Sequence, residues 1–233
     1  MNSSSFVSTW KNQIDAWIKA IQNNFLIPAA LLACALIAGG GWYGYHYFAT
    51  QKEEQAHTIL VDCFHEYEQA LHGKSKWEDV ANMCQAGYEK YSSTKAGSYI
   101  YSVLVDALIA QQQLPEALEK ITFMINRISA QSPVYNLYRT KEALIKLDMA
   151  DQSVQQAGLA QLEQLAQDKK NLYADQASYY VGLYYRQQGQ PDKAREIWNS
   201  LIAINAEIAQ DQARSVWASL AQEKMNGLTH ERA

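Results

Sequence analysis

Residues 175–208 read DQASYYVGLYYRQQGQPDKAREIWNSLIAINAEI, and their spacing decides the fold. Ser178, Val181, Gly182 and Tyr185 recur at the three- and four-residue steps of one helix face, and Ala194 and Trp198 do the same after a break. The break, Gln188-Gly189-Gln190-Pro191-Asp192, has a glycine able to take the left-handed conformation and a proline suited to opening a second helix. The stretch predicts two antiparallel helices that approach closely at the small residues Gly182 and Ala194, with Tyr185 and Trp198 filling the space beside them.

That pattern resembles a tetratricopeptide repeat, except that Ser178 stands where a large aromatic is usual. A weaker copy covers 98–131, with Tyr101, Leu104, Leu108, Ala117 and Ile121 at matching spacings, Leu114-Pro115-Glu116-Ala117 opening its second helix, and Val105 in place of the glycine. Ala117 and Ala194 are 77 residues apart, more than two repeats of about 34, so the unit between them, 133–169, is expected to be a stretched hairpin around a loop at 149–152. Before these lies a further hairpin. Its first helix, over 51–72, turns Ala56, Ile59, Leu60, Cys63, Tyr67, Ala70 and Leu71 inward, and its second, over 77–91, does the same with Val80, Ala81, Cys84, Tyr88 and Tyr91. A last helix over 209–225 carries Ala213, Val216, Trp217, Leu220 and Ala221 on one face, as the cap that a solenoid needs over its final layer. The fold class is all-α, and residues 50–233 are read as one repeat domain.

Cys63 lies ten residues before Gly73 and Cys84 ten after Lys74, which sets the two thiols level across the first hairpin. Two readings stand open: a disulfide, if the domain lies in an oxidising compartment, or two buried small hydrophobes in reducing surroundings.

Upstream, residues 25–49, FLIPAALLACALIAGGGWYGYHYFA, contain no Asp, Glu, Lys or Arg. A bilayer core of about 30 Å takes about 20 mostly apolar helical residues, so this run is read as one transmembrane helix, its far end rimmed by Trp42, Tyr43, Tyr45, Tyr47 and Phe48. Those bulky aromatics argue against a cleaved signal peptide. Leu31-Leu32-Ala33-Cys34 has the look of a lipidation box, but apolar sequence continues past Cys34, as a spanning helix requires. Gly40 and Gly44 are four apart and would let another helix approach; a homodimer or partner contact is one reading, and ordinary glycine-rich membrane composition is the other. Residues 1–24 hold Phe6, Trp10, Ile14, Trp17, Ile18 and Ile21 at helical spacing and are read as a cytoplasmic amphipathic helix lying in the headgroup region. Lys11 and Lys19 precede the span while Lys52 beyond it is accompanied by Glu53 and Glu54, a bias that places the N-terminus in the cytoplasm and 50–233 outside.

The formal net charge is -4, and beyond the span 18 Lys and Arg face 23 Asp and Glu, which argues against a nucleic-acid partner. His57, His65 and His72 lie close in sequence to Cys63 and Glu66, but Cys63 and His65 point to different helix faces, so no metal site is expected. No Gly-x-Ser-x-Gly, His-Glu-x-x-His or Cys-x-x-Cys occurs, and neither an enzyme nor a cofactor is expected. Protein binding is the expectation. By spacing, the groove would be lined by Tyr99, Ser102, Asp106 and Ile109 in one repeat and by Gln176, Tyr179, Leu183 and Arg186 in another, with Tyr179 and Arg186 as the strongest candidate contacts.

The order of parts is similar to that of the YfgM-like bacterial inner-membrane proteins: a short cytoplasmic start, one anchor ending Gly41-Trp42-Tyr43-Gly44-Tyr45, divergent tetratricopeptide repeats, and a final helix with Lys224-Met225-Asn226-Gly227-Leu228. The resemblance implies an ancillary subunit of the Sec translocon with a periplasmic repeat domain, acting as a scaffold or chaperone-like holder of exported proteins. The alternative is a structural subunit of another envelope or secretion complex.

Overall fold

The computed structural model describes residues 15, 16, 19, 26–208 and 215–230, with side chains from 34 to 206 and 215 to 227 in the two long segments. Apart from Asp15, Ala16 and Lys19, which are helical, the amphipathic start expected over 6–22 lies outside the described residues, as do Phe25 and Ala213. Among the described residues the chain is all helix: α1 (Leu26–Leu71), α2 (Trp77–Tyr91), α3 (Lys95–Ala110), α4 (Leu114–Ile125), α5 (Tyr135–Asp148), α6 (Gln152–Gln167), α7 (Ala174–Gln187), α8 (Pro191–Ile208) and α9 (Val216–His230). The chain divides into two compact units, 1–57 and 58–233, and the division falls inside α1.

In the first unit the expected span is helical from Leu26 onward and continues without a break into the helix that begins the repeats. Among the described residues no helix is long and apolar enough to cross a membrane. Trp42, Tyr43, Tyr45 and Phe48 are all exposed, and a Cβ added to Gly40 or Gly44 would meet nothing within 4 Å.

The second unit is a series of helical hairpins. From α2 onward each helix packs mainly against its neighbours in the chain, and α9 closes the series by packing on both α7 and α8. Three hairpin turns are built alike. Gly73, Gln112 and Gly189 take φ values of 69°, 60° and 69°. The amide after each donates back across the helix end, Lys74 to the Gln69 carbonyl at 2.8 Å, Gln113 to Leu108 at 2.9 Å and Gln190 to Tyr185 at 2.9 Å. This satisfies a terminal carbonyl that would otherwise lack a helical donor.

Repeat length departs from expectation. The second helices start at Trp77, Leu114, Gln152 and Pro191, steps of 37, 38 and 39 residues, so the unit between Ala117 and Ala194 is not specially stretched. Every repeat is longer than the common length of about 34, in part because the links 126–134 and 168–173 join the later hairpins. Leu71 and Val216, expected to face inward, are 59% and 63% exposed. Both sit at helix ends, Leu71 closing α1 and Val216 opening α9.

Three apolar clusters follow one another along the unit. The first gathers Cys63, Cys84, Ile100, Leu104 and Ile121; the second Ala143, Leu162, Leu165 and Val181; the last Tyr179, Trp198, Leu201 and Ala221. Between them, polar side chains bind the hairpins together. Glu142 on α5 accepts from Thr122 on α4 at 3.1 Å and from Gln161 on α6 at 2.8 Å, and pairs with Lys146 at 3.1 Å. Burial alone would raise the Glu142 carboxyl's pKa, but the Gln161, Lys146 and Thr122 hydrogen bonds and the Lys146 charge outweigh it and hold it below the usual carboxylate range.

Candidate protein-binding groove

The first helices of three successive repeats, α3, α5 and α7, contribute to one cavity of about 450 Å³. From α3 come Asp106 and Ile109, from α5 Lys141, Leu144 and Asp148, and from α7 Tyr180, Leu183 and Tyr184. Helical periodicity puts these residues in register: Asp106 and Ile109, Lys141 and Leu144, and Tyr180 and Leu183 are each one turn apart.

One ion pair bridges the groove from α5 to α3. The Lys141 ammonium lies 2.8 and 2.9 Å from the two carboxylate oxygens of Asp106 and donates to Ser102 Oγ at 3.3 Å. Both side chains are partly exposed, so the pair fixes the spacing of the two helices more than it adds stability. At the α5 end of the cavity, burial pushes the Asp148 carboxyl's pKa up. Gln155 donates to the Met149 carbonyl at 2.6 Å and so anchors the start of α6 at the same end. Among the described residues, no His, Cys, Ser or Thr lines the cavity. Its walls mix leucine, isoleucine and tyrosine with the Lys141–Asp106 pair, the Asp148 carboxyl and the amides of Gln155, Gln187 and Gln188, a surface suited to holding apolar and amide-bearing chain.

Of the residues expected in the groove, Asp106, Ile109 and Leu183 are brought together here, and Ser102 adjoins them through Lys141. Tyr99 is 49% exposed but lies outside the cavity lining, and Gln176 and Arg186 are half-buried and also outside it. Tyr179 is a correction. It is 6% exposed, its ring centroid lies 5.5 Å from that of Trp217 and 6.3 Å from that of Trp198, and it belongs to the core beneath the capping helix. The cause is a rotation of the assumed inner face: α9 covers Tyr179, and the next residue, Tyr180, takes the groove side. Spacing therefore missed Lys141, Tyr180 and Tyr184. Only the positions of both flanking helices reveal them.

A larger cleft of about 800 Å³ opens where α6, α7 and α8 meet, with Ala166, Val181, Ile197, Leu201 and Ile204 in its wall. It belongs to a single junction between hairpins, whereas the groove spans three repeats. Cys63 and Cys84 lie in neither cavity; both are fully buried in the first hairpin, and both are free thiols. His57, His65 and His72 are exposed, and among the described residues no three His, Cys, Asp or Glu side chains are grouped to hold a metal ion.

No protein-family model matches the chain, and no curated protein matches it. Among solved structures it is similar to a kinesin light chain-like protein of Podosopora anserina with nearly identical TPR-like repeats. A singly substituted form of that protein superposes at a TM-score of 0.55 and 14% identity, covering 77% of this chain and 90% of that one. The unsubstituted form superposes with a TM-score of 0.54 at the same 14% identity and the same coverage. At that identity the likeness is one of fold alone: the described residues of the second unit form a TPR-like helical solenoid.

Proposed function

We propose that this chain is a single-pass protein of the bacterial inner membrane whose periplasmic repeat domain holds segments of newly exported proteins beside the Sec translocon, as a scaffold or chaperone-like ancillary subunit. The observation that carries the reading is the groove shared by α3, α5 and α7, whose apolar and tyrosine walls fit a partly extended, partly apolar chain. The uncharged run 25–49, helical from Leu26, supplies the anchor, and tethering raises the local concentration of groove near emerging clients. The same net negative charge that disfavours nucleic acid leaves protein and lipid as the partners.

A photo-crosslinking residue at Tyr184, followed by recovery of the adducts from membranes, tests this. Translocon subunits together with varied exported proteins are the expected products. A single stoichiometric complex without clients favours the second reading, a structural subunit of another envelope complex. The open glycine face of α1 supports that reading, because Gly40 and Gly44 meet nothing within 4 Å and leave room for a neighbouring helix or a second copy.

A further inference from the structure

The first hairpin of the repeat unit holds a pair of thiols that the groove does not use. Cys63 on α1 and Cys84 on α2 are both fully buried, in a cluster with Val80, Ile100 and Leu104. Two contacts that do not involve sulfur set the register of these helices. Nearer the turn, the rings of Tyr67 and Trp77 meet at 5.1 Å. Further from it, the Ile59 Cγ2 methyl lies 2.6 Å from where a Cβ on Gly87 would stand. Cys63 is one turn from both Ile59 and Tyr67 on α1, and Cys84 is one turn from Gly87 on α2, so the thiols share the layer between those contacts. Because Gly87 has no side chain, the Ile59 methyl packs directly against α2 at that level. Both sulfurs lie buried in one apolar cluster at that layer.

We infer that Cys63 and Cys84 form one disulfide stapling α1 to α2 when the domain folds in an oxidising compartment, and that this bond closes during folding and not after it. The first clause rests on the periplasmic reading above; the pairing itself rests on the hairpin geometry. The oxidant is a disulfide donor, small or protein. One cysteine thiolate attacks a donor sulfur, forming a mixed disulfide and releasing one donor thiolate. The second cysteine thiolate then attacks the protein sulfur of that mixed disulfide and expels the other donor thiolate. The two cysteines give up two protons and two electrons, and the donor is reduced to two thiols. Closure belongs to folding because a donor cannot reach either sulfur once the hairpin is packed.

The test uses the full chain in detergent with Cys34→Ser, which removes the exposed third thiol. Reduced, denatured protein is refolded with reduced and oxidised glutathione, quenched in acid, alkylated under denaturing conditions and peptide-mapped. Denaturing conditions are needed because buried thiols escape alkylation whether bonded or not. The expected product is a linked peptide pair, Cys63 to Cys84, lighter by two hydrogens, with an unfolding midpoint that falls on reduction. Already folded, reduced protein given the same buffer is expected to oxidise more slowly, by about tenfold or more. Free thiols or glutathione adducts after refolding overturn the pairing, and equally fast oxidation of the folded chain overturns the order of events. Acid-quenched cells then separate the two readings: a bond in cells supports both, whereas a bond after refolding but reduced thiols in cells overturns the periplasmic placement and keeps the pairing.

Discussion

The indole of Trp198 occupies the space that a side chain on Gly182 would need. A Cβ on Gly182 would stand 2.2 Å from Trp198 Nε1, and that nitrogen donates to the Tyr179 carbonyl oxygen at 3.1 Å. Gly182→Ala gains helix propensity of about 1 kcal/mol but must push aside a fully buried ring. The steric cost prevails, with a net loss of about 1–3 kcal/mol. A urea midpoint unchanged or raised in G182A would refute this contact.

At Gln112 the sign reverses. This residue holds φ at 60° in the turn position that Gly189 occupies one pair of repeats later. Left-handed backbone is unfavourable for a residue with a Cβ, so Gln112→Gly is expected to stabilise the chain by about 0.5–1 kcal/mol. Thermal unfolding of Q112G beside the parent decides it, and a lower midpoint counts against the turn.

Tyr179 and Tyr184 lie on one helix, but their roles differ. Tyr179→Ala empties a site against Trp198 and Trp217 and is expected to cost about 3–5 kcal/mol, read as a large drop in unfolding midpoint. Tyr184→Ala, in the groove wall, is expected to leave that midpoint within about 1 kcal/mol of the parent while lowering client crosslinking. Equal loss of stability in both variants would remove the distinction between core and groove.

Lys141 and Asp106 offer a double-mutant cycle. With both partly exposed, Lys141→Met and Asp106→Asn are expected to show a coupling of about 0.5–1 kcal/mol in urea unfolding, and no more. A coupling near zero would mean that the pair does not hold α3 to α5.

Acid should loosen the middle of the solenoid through Glu142. Its folded pKa lies below its unfolded value, so its contribution is complete above the ordinary Glu range and is lost as pH falls through the lower folded value. Glu142→Gln is expected to be less stable than the parent near neutral pH and to converge with it in acid. Parallel stability curves for the two proteins would exclude the carboxylate as the cause.

Hairpin boundaries were legible because glycine and proline mark them: Gly73, Leu114-Pro115 and Gly189 with Pro191 all stand at the turns where α1, α3 and α7 end or the next helix begins. The repeat period was less legible, since links such as 126–134 leave no periodic signal. The groove was legible in part. On α3, polar Ser102 and Asp106 among apolar neighbours mark the outward face, and they do lie toward α5 through Lys141. On α7, apolar or aromatic side chains surround the helix at Tyr179, Tyr180, Leu183, Tyr184 and Tyr185, so no face stands out by period alone.

Local residue order was enough to establish that the repeat unit is helical, where its hairpins turn, and that Gly182 and Ala194 must be the close-packed positions, because backbone preference and residue size act over a few residues. Which tyrosine of α7 is core and which is wall was settled by the assembled helices alone. That choice depends on α9 arriving over Tyr179 and on α5 standing beside Tyr184, and burial is set by what the rest of the chain brings to a surface, which no local spacing encodes.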